Sequence, residues 1–422
     1  MRKTIAVSAL ALMAAGTAQA QELRFMCYQD GNECDVWADA FQAFEAENDG
    51  VTVVVDVVPY QAILESLPVQ LEVGEGPDLA RVTDYGGLAR FMLDARPHIS
   101  AEAAERIEAR YGASLAWARV GDNAADGIYN IVDQLTATGG FANATLFEQA
   151  GVDMPAPGSS WADWAEAAVA VRDATGVDFA MALDRTGHRF SAPAMSYGAA
   201  IFNDDGHALA IDDGFRAFAE QFVAWHEDET MARDVWAGAG GGTYQDAAAE
   251  FINANLVMYY SGSWQIGRFG RDIGDAFDWV ATGGICGPEA CTGMPGGAGV
   301  VGFNHSAHPE AVASLIEFVS RDDIQAQVLA RTRNLPANAE LQANGIDYQD
   351  VSPEVAAALS AFAAAVPEFA STAYALQGYE FNRAVFTSIP ARLTQAIVGE
   401  LSLDDALERL EQDVADAIAE AR

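Results

Sequence analysis

The amino-acid sequence predicts an α/β fold, with parallel strands covered by helices, and the length of the chain indicates two domains. Three short runs rich in β-branched and apolar residues, at 23–26, 51–58 and 79–82, alternate with two helical patterns. Strands that alternate with helices pair in parallel, because each helix carries the chain back across the sheet. With 422 residues, 51% of them hydrophobic, the chain is long enough to bury a core in each of two domains.

The same patterns place the individual elements. Trp37, Phe41 and Phe44 recur at helical spacing after the first strand, which predicts a helix with one buried face. A long extended run with inserted polar residues, at 127–138, is typical of a strand that leaves one domain and enters another. A second α/β unit follows, with a helix from Trp161 onward and a strand at 179–183. The C-terminal segment is predicted to be mostly helical.

The charge of the chain limits the partners that it can have. The sequence carries 61 acidic and 23 basic residues, for a formal net charge of -38. This excess of acidic residues argues against a basic face that binds nucleic acid. A strongly acidic composition favours solubility and carries no information about the fold.

The N-terminus has the three parts of a secretory signal peptide. Arg2 and Lys3 precede an apolar segment at 5–15, and Ala18-Gln19-Ala20 matches a cleavage site. We therefore expect cleavage after Ala20 and export to the periplasm. No cysteine directly follows the site and no other long apolar run occurs, so no membrane anchor is expected.

The four cysteines form two close pairs in the sequence, Cys27 with Cys34 and Cys286 with Cys291. Three pairings are possible, and two local disulfides are the simplest in an oxidising compartment. A metal site is the competing interpretation, but the cysteines lack the C-x-x-C spacing and adjacent histidines that zinc sites have. We expect two disulfides and no metal.

One stretch, residues 74–90, combines a strand with a polar end. Asp84 follows the predicted strand at 79–82, and Gly86-Gly87 supplies a turn into a helical run. Ligands of open α/β sheets bind beyond the carboxyl ends of the strands, which makes Asp84 a candidate ligand contact. The alternative is that Asp84 only caps the next helix.

Short motifs along nearly the whole chain resemble one known family, the extracellular solute-binding proteins of ABC importers, in the branch that includes the maltose-binding protein. They follow the signal peptide in the family's order: Gly74-Glu75-Gly76-Pro77-Asp78, Tyr85-Gly86-Gly87, 132–138, Leu146-Phe147, Ala150-Gly151-Val152, Trp161-Ala162-Asp163-Trp164, Ser261-Gly262-Ser263-Trp264, Pro295-Gly296-Gly297, His308-Pro309-Glu310-Ala311 and Asn334-Leu335-Pro336. Each motif is weak alone, and their shared order carries the resemblance.

The resemblance implies the two-lobe periplasmic-binding-protein fold of type II. Each lobe is then a mostly parallel sheet flanked by helices, with a ligand cleft between the lobes. The implied N-terminal lobe comprises 21–133 and 296–340, and the C-terminal lobe comprises 134–295 and 341–422.

The resemblance also implies the site residues. They lie at strand ends, at the domain crossings and near the cleft: Tyr28, Gln29, Asp30, Arg81, Asp84, Tyr85, Asp133, Gln134, Tyr197, Trp264, Gly296, Gly297 and Arg333. Trp264 occupies the family's sugar-stacking position, and the alternative is a core tryptophan. The alternative for the loop of Tyr28 is a stapled surface turn, and the alternative for Gly296-Gly297 is a plain turn in a crossing segment.

The expected function is periplasmic binding of a carbohydrate, from a monosaccharide to an oligosaccharide or glycoside, and its delivery to an ABC permease by hinge closure of the lobes. The chain has no G-x-S-x-G nucleophile elbow at 261–263. We therefore expect a monomeric binding protein without cofactor or enzymatic activity. The alternatives are a secreted carbohydrate-active enzyme and a binder of a polyol or a glycerol-phosphate-type ligand, for which Arg333 would matter.

Overall fold

A mixed sheet runs through the protein, which we describe from a computed structural model of residues 21–348 and 351–421. The predicted signal peptide, with its cleavage site after Ala20, lies outside the described residues. The strands are β1 (Gln21–Cys27), β2 (Val51–Val57), β3 (Leu79–Val82), β4 (Asn130–Asn143), β5 (Phe179–Leu183), β6 (Leu256–Gly262), β7 (Trp279–Ala281) and β8 (Pro295–Gly302). Their order is β2-β1-β3-β8-β4-β6-β5, and β7 pairs with β4.

Helices cover the sheet. In the part of the chain that the structure describes they are α1 (Glu33–Glu47), α2 (Tyr60–Glu72), α3 (Tyr85–Leu88), α4 (Ala101–Leu115), α5 (Ala144–Ala150), α6 (Trp161–Thr175), α7 (Gly187–Ser196), α8 (Asp213–Glu227), α9 (Arg233–Ala237), α10 (Ala248–Ile252), α11 (Gln265–Asp272), α12 (Pro309–Val319), α13 (Asp322–Thr332), α14 (Ala339–Asn344), α15 (Pro353–Ala365), α16 (Ser371–Gln377), α17 (Asn382–Ile397) and α18 (Leu403–Ala421). The predicted α/β class is confirmed.

Two lobes share this sheet: the first contains β1, β2 and β3, and the second contains β5, β6 and β7. Strand β4 connects them, since its residues 130–137 pair with β8 and its residues 138–142 pair with β6. The strand predicted at 127–138 is therefore confirmed as β4, which begins at Asn130 and ends at Asn143. The chain passes β4 once more near residue 335, where the Leu135 N–H donates to the Leu335 carbonyl at 2.9 Å.

The sheet is less parallel than predicted. Pairings β1–β2, β1–β3 and β5–β6 are parallel, whereas β3–β8, β4–β8, β4–β6 and β4–β7 are antiparallel. The antiparallel pairings all involve β4 or β8, which connect the lobes. The parallel pairings thus lie within each lobe, and every pairing made by the connecting strands β4 and β8 is antiparallel.

Apolar side chains fill the spaces between sheet and helices. In the first lobe, Trp37, Phe41 and Phe44 of α1 are buried as their spacing predicted. In the second lobe, α6 begins with a capping box of Ser160 and Asp163, and Trp161 lies in its buried face. Burial of these large rings is the main term that holds each helix on the sheet.

Both predicted disulfides are present, Cys27–Cys34 and Cys286–Cys291. Within the described residues, no group of three or more histidine, cysteine or acidic side chains is placed to hold a metal ion. No single described helix is long and apolar enough to cross a membrane, and only the bent pair Pro353–Glu368 and Ser371–Gln377 passes by length and composition.

Candidate functional site

A cleft lies between the two lobes, over the strands that connect them. It encloses about 910 Å³ of space, including its open mouth. Residues from both lobes and from the connecting strands line it: Tyr28, Asp30, Tyr60, Leu64, Thr83, Asp84, Gln134, Thr136, Thr186, His188, Arg189, Gly242, Tyr244, Trp264, Gly296, Gly297, Ala298, Gln377, Asn382, Arg383 and Phe386.

The first lobe presents two carboxylates at strand ends. Asp30 follows β1, and Asp84 follows β3. Asp84 caps α3, since its Oδ1 accepts from the Gly87 N–H at 3.0 Å, and the residue also lines the cleft, so its role as a ligand contact stays a prediction. Placement of ligand-facing groups beyond the carboxyl ends of strands follows the rule for open α/β sheets.

A disulfide and several hydrogen bonds fix the loop after β1. The disulfide Cys27–Cys34 closes it. Glu33 Oε2 accepts from the N–H groups of Asp30 and Gly31 at 3.1 and 2.9 Å. Gln29 Oε1 accepts from the Cys34 N–H at 3.1 Å, so Gln29 stabilises the loop and does not line the cleft. The loop is therefore a fixed platform for Tyr28 and Asp30.

Arg81 and Asp133 lie beneath the cleft, and neither lines it. Both side chains are buried, and Arg81 Nε donates to Asp133 Oδ2 at 3.1 Å. Arg81 Nη1 also donates to the Tyr28 carbonyl at 3.1 Å, and Nη2 donates to Gln134 Oε1. The predicted ligand contacts Arg81 and Asp133 therefore lie outside the lining, where the Arg81 guanidinium is held by Asp133, Tyr28 and Gln134. Asp133 Oδ2 also accepts from the Trp37 indole N–H at 2.7 Å, and Asp133 Oδ1 is buried without a hydrogen-bond partner among the described residues.

Three more predicted contacts lie outside the lining. Tyr85 is buried and its hydroxyl donates to the Gly297 carbonyl at 3.1 Å. Tyr197 packs its ring on Phe218 at 5.3 Å between centroids. Arg333 ends α13 in a left-handed conformation, away from the cleft. The family resemblance implied that all three contact the ligand, but none of them is among the residues that line the cleft.

Strand β8 forms the floor of the cleft, whereas a turn was the alternative for Gly296-Gly297 from the sequence. Gly296 and Gly297 belong to β8 and pair with Thr136 and Leu135. A Cβ at Gly296 would lie 2.7 Å from Thr136 Oγ1, and one at Gly297 would lie 2.7 Å from a Val132 side-chain carbon. Glycine is therefore required here for close packing of β8 on β4.

The second lobe presents a stack of a cation on aromatic rings. The Arg189 guanidinium lies 4.1 Å from the Trp264 ring centroid and 5.7 Å from that of Tyr244. Trp264 is only 7% exposed. Arg189 therefore covers part of the Trp264 ring, for which the resemblance implies a sugar-stacking role. The contact is worth about 1–2 kcal/mol when it is desolvated.

Burial changes the ionisation of several lining groups. Burial and the neighbouring Glu33 raise the pKa of Asp30 to about 7. Burial also raises the pKa of Asp84, and Arg383 opposes that shift. Burial and Arg189 lower the pKa of His188 to about 3. His188 is therefore neutral at pH 7, with Nε2 as donor to the Pro295 carbonyl at 3.2 Å and Nδ1 as acceptor from Arg189 Nη1 at 3.1 Å.

The sequence analysis missed most of the second-lobe wall. Thr186, His188 and Arg189 follow β5 directly, so the strand-end rule applied to β5 would have found them. Asn382, Arg383 and Phe386 come from the start of α17 and carry no local signal, because only the packing of α17 on α7 brings them to the cleft.

The comparisons with known proteins agree with this architecture. An ABC substrate-binding protein of Listeria monocytogenes in complex with cycloalternan has a TM-score of 0.79 at 17% identity, over 95% of this chain and 100% of that one. The GacH receptor of Streptomyces glaucescens gives 0.75 at 17% identity, over 95% and 98% of the two chains. The sugar-binding protein MalE of Xanthomonas citri gives 0.68 at 20% identity, again over 95% and 98%.

At these identities the solved structures establish the shared fold. The family itself is established by sequence, since the profile described as bacterial extracellular solute-binding protein matches residues 32–326, more than half of the chain. The two lobes, the connecting strands and the cleft between them are what that family's fold requires. The chain is therefore a member of the bacterial extracellular solute-binding protein family.

Proposed function

We propose that this protein binds a carbohydrate in the cleft between its lobes and delivers it to an ABC transporter. The observation that carries the proposal is the composition of the cleft wall, where hydrogen-bonding side chains and aromatic rings from both lobes surround one small-molecule space. A sugar presents hydroxyl groups around an apolar ring, and such a wall complements both.

The polar groups of the wall match hydroxyl chemistry. Asp84 offers carboxylate oxygens as acceptors, while Asn382 and Thr136 offer groups that donate or accept. Tyr60 and Tyr244, whose ring centroids are 5.9 Å apart, come from different lobes and meet at the cleft. This mixture of rings and bidentate polar groups supports a saccharide over a purely apolar ligand.

The structural relatives support the same ligand class. The Listeria protein was solved with cycloalternan, the Streptomyces receptor with acarbose, and the Xanthomonas protein is described as sugar-binding. Carried to this chain, they favour a saccharide from one to several units. We also propose that the mature protein begins at Gln21, is located in the periplasm and has an ABC permease as its partner.

Closure of the lobes around the ligand would be a hinge motion at the connecting segments. We propose lobes of 21–133 with 296–340 and of 134–295 with 341–422. The pairings of β4 with β8, and of Leu135 with Leu335, support hinges at those boundaries. We further propose that the protein acts as a monomer and releases its ligand chemically unchanged.

Titration calorimetry of the mature protein against neutral sugars, acidic sugars, amino acids, peptides and metal ions tests the proposal. We expect saturable binding of a saccharide and recovery of that saccharide unaltered after denaturation of the complex. Binding of an amino acid, peptide or metal in its place would refute the ligand class. Turnover of the bound sugar would refute the binding role in favour of an enzyme.

A further inference from the structure

Two guanidinium groups line the second-lobe wall, and both have N–H donors that the described part of the protein leaves without a hydrogen-bond acceptor. Arg189 comes from α7 and Arg383 from the first turn of α17. Both side chains are half-buried and both line the cleft. A partly buried cation without a matched anion is costly, so what these two groups face is informative.

Arg189 lacks a full set of partners. Its Nη1 donates to His188 Nδ1 at 3.1 Å, but its Nε is buried without a hydrogen-bond acceptor. The nearest carboxylate oxygen, Asp184 Oδ2, is 3.6 Å from Nε. A guanidinium has five N–H donors, so several of those of Arg189 remain for a ligand.

Asp184 forms an ion pair with Arg189 but does not accept a hydrogen bond from Arg189 Nε, and it already accepts from three other donors. Its Oδ2 accepts from the Ser261 hydroxyl at 2.7 Å and from the Tyr244 hydroxyl at 3.1 Å, and its Oδ1 accepts from the Tyr259 hydroxyl. These three donors hold Asp184 just after β5, where it makes an ion-pair contact with Arg189 Nε at 3.6 Å and not a bidentate hydrogen-bonded pair.

Arg383 is less engaged still. Within residues 21–348 and 351–421, its side chain makes no ion pair within 4.0 Å and no hydrogen bond in the structure. The carboxylate that faces it from the first lobe is Asp84, whose Oδ1 already accepts from the Gly87 N–H at 3.0 Å. Arg383 therefore presents an open guanidinium to the cleft.

The charges are arranged by lobe. Asp30 and Asp84 lie on the first lobe, whereas Arg189 and Arg383 lie on the second. Asp30 is partly protonated at neutral pH, since its pKa is raised to about 7, and this reduces the negative charge of its wall. The aromatic rings alone would also suit an organic cation, but two guanidinium groups in the same cleft repel one.

We propose that the ligand is an acidic saccharide, whose carboxylate or phosphate group binds to Arg189 and Arg383 while its hydroxyl groups bind to the first-lobe wall. This inference rests on the proposed carbohydrate function and narrows its ligand class. Guanidinium groups bind both carboxylates and phosphates in a bidentate manner, so the wall itself fits either group. The anionic alternative foreseen from the sequence, with Arg333, moves to these two residues.

Ring-matched probes test the inference by calorimetry. D-Glucose, D-glucuronate and D-glucose 6-phosphate differ only at C6, and the galactose series repeats the comparison with another ring. We expect an anionic member to bind at least about 10-fold tighter than its neutral partner, a difference of about 1.4 kcal/mol. Comparison of the uronate with the phosphate identifies the anionic group.

Substitutions locate the effect. Arg383→Gln is expected to abolish most of the anionic preference, and Arg383→Lys is expected to retain part of that preference. The control is Arg331→Gln, because Arg331 pairs with Asp39 on the surface at 2.6 Å and lies outside the cleft. Arg189→Gln is the second variant, with circular dichroism to verify folding.

The outcomes separate the two proposals. A neutral sugar that binds as tightly as its uronate and its phosphate overturns the acidic-saccharide inference and leaves the carbohydrate function standing. An anionic preference unchanged in both Arg383→Gln and Arg189→Gln also overturns the inference. Binding of amino acids or organic cations, with no saccharide of either kind bound, overturns the carbohydrate function itself.

Discussion

The buried pair of Arg81 and Asp133 gives the sharpest prediction about what holds the cleft together. The two side chains are 0% and 2% exposed, and Arg81 also donates to Tyr28 and Gln134, which line the cleft. Arg81→Met keeps an unbranched apolar chain in place of the aliphatic part of Arg81 and removes the charged guanidinium. It leaves the Asp133 carboxylate buried, with the Trp37 indole N–H at 2.7 Å as a donor.

Removal of one partner of a buried ion pair costs about 3–5 kcal/mol, because the remaining charge is desolvated without compensation. We expect Arg81→Met to lower the free energy of unfolding in urea by that amount. Adding Asp133→Asn removes the stranded charge and keeps an acceptor for Trp37. The double variant is therefore expected to recover about 2 kcal/mol of the loss.

A surface pair supplies the matched control. Arg24 and Asp56 are 3.1 Å apart, with side chains 50% and 40% exposed. Arg24→Met is expected to cost less than about 1 kcal/mol, since exposed pairs are screened by solvent. The reasoning is refuted if Arg81→Met costs no more than Arg24→Met, or if Asp133→Asn worsens the Arg81→Met variant.

Three further predictions concern the cleft. Trp264→Ala is expected to weaken binding of the cognate saccharide by about 1–3 kcal/mol in calorimetry, because it removes apolar ring area and the ring that supports Arg189. Tyr197→Phe, which lies outside the lining, is the control. If Trp264→Ala binds the saccharide as tightly as the wild type does, Trp264 does not belong to the site. Since the pKa of Asp30 is raised to about 7, its protonated form is favoured on folding, and its contribution to stability is lost as pH rises from about 4 to 7. Urea unfolding of Asp30→Asn should therefore show a smaller decrease in stability between pH 5 and pH 8 than wild type, and parallel pH profiles would contradict the assignment. The disulfide Cys27–Cys34 closes a loop with a sequence separation of 7. Replacement of both cysteines by serine should lower the free energy of unfolding by about 2–3 kcal/mol and weaken saccharide binding, because Tyr28 lies in this loop. A variant with wild-type stability and unchanged affinity would show that the disulfide does not hold the loop.

The sequence was sufficient for the elements and for part of the cleft. The strand at 79–82 and the carboxylate beyond it were predicted correctly, because a short apolar run and a polar strand end are local features. Gln134, Trp264, Gly296 and Gly297 also line the cleft as expected. Local patterns locate the ends of strands, and the ends of strands are where this fold places its cleft.

The sequence was insufficient where side chains compete for the same partners. Nothing local shows that the guanidinium of Arg81 is taken up by Asp133, Tyr28 and Gln134, since these contacts join residues more than 50 positions apart. Arg383 reaches the cleft only because α17 packs against α7 of the second lobe. Such roles depend on tertiary packing, which a single sequence does not display.

A crystal structure of the mature protein with its tightest-binding saccharide tests the central claim most directly. The account predicts electron density for the sugar between the lobes, within hydrogen-bond distance of Asp84 on one wall and of Arg383 on the other. Density for the sugar on an outer surface, with the space between Asp84 and Arg383 filled only by water, would contradict it.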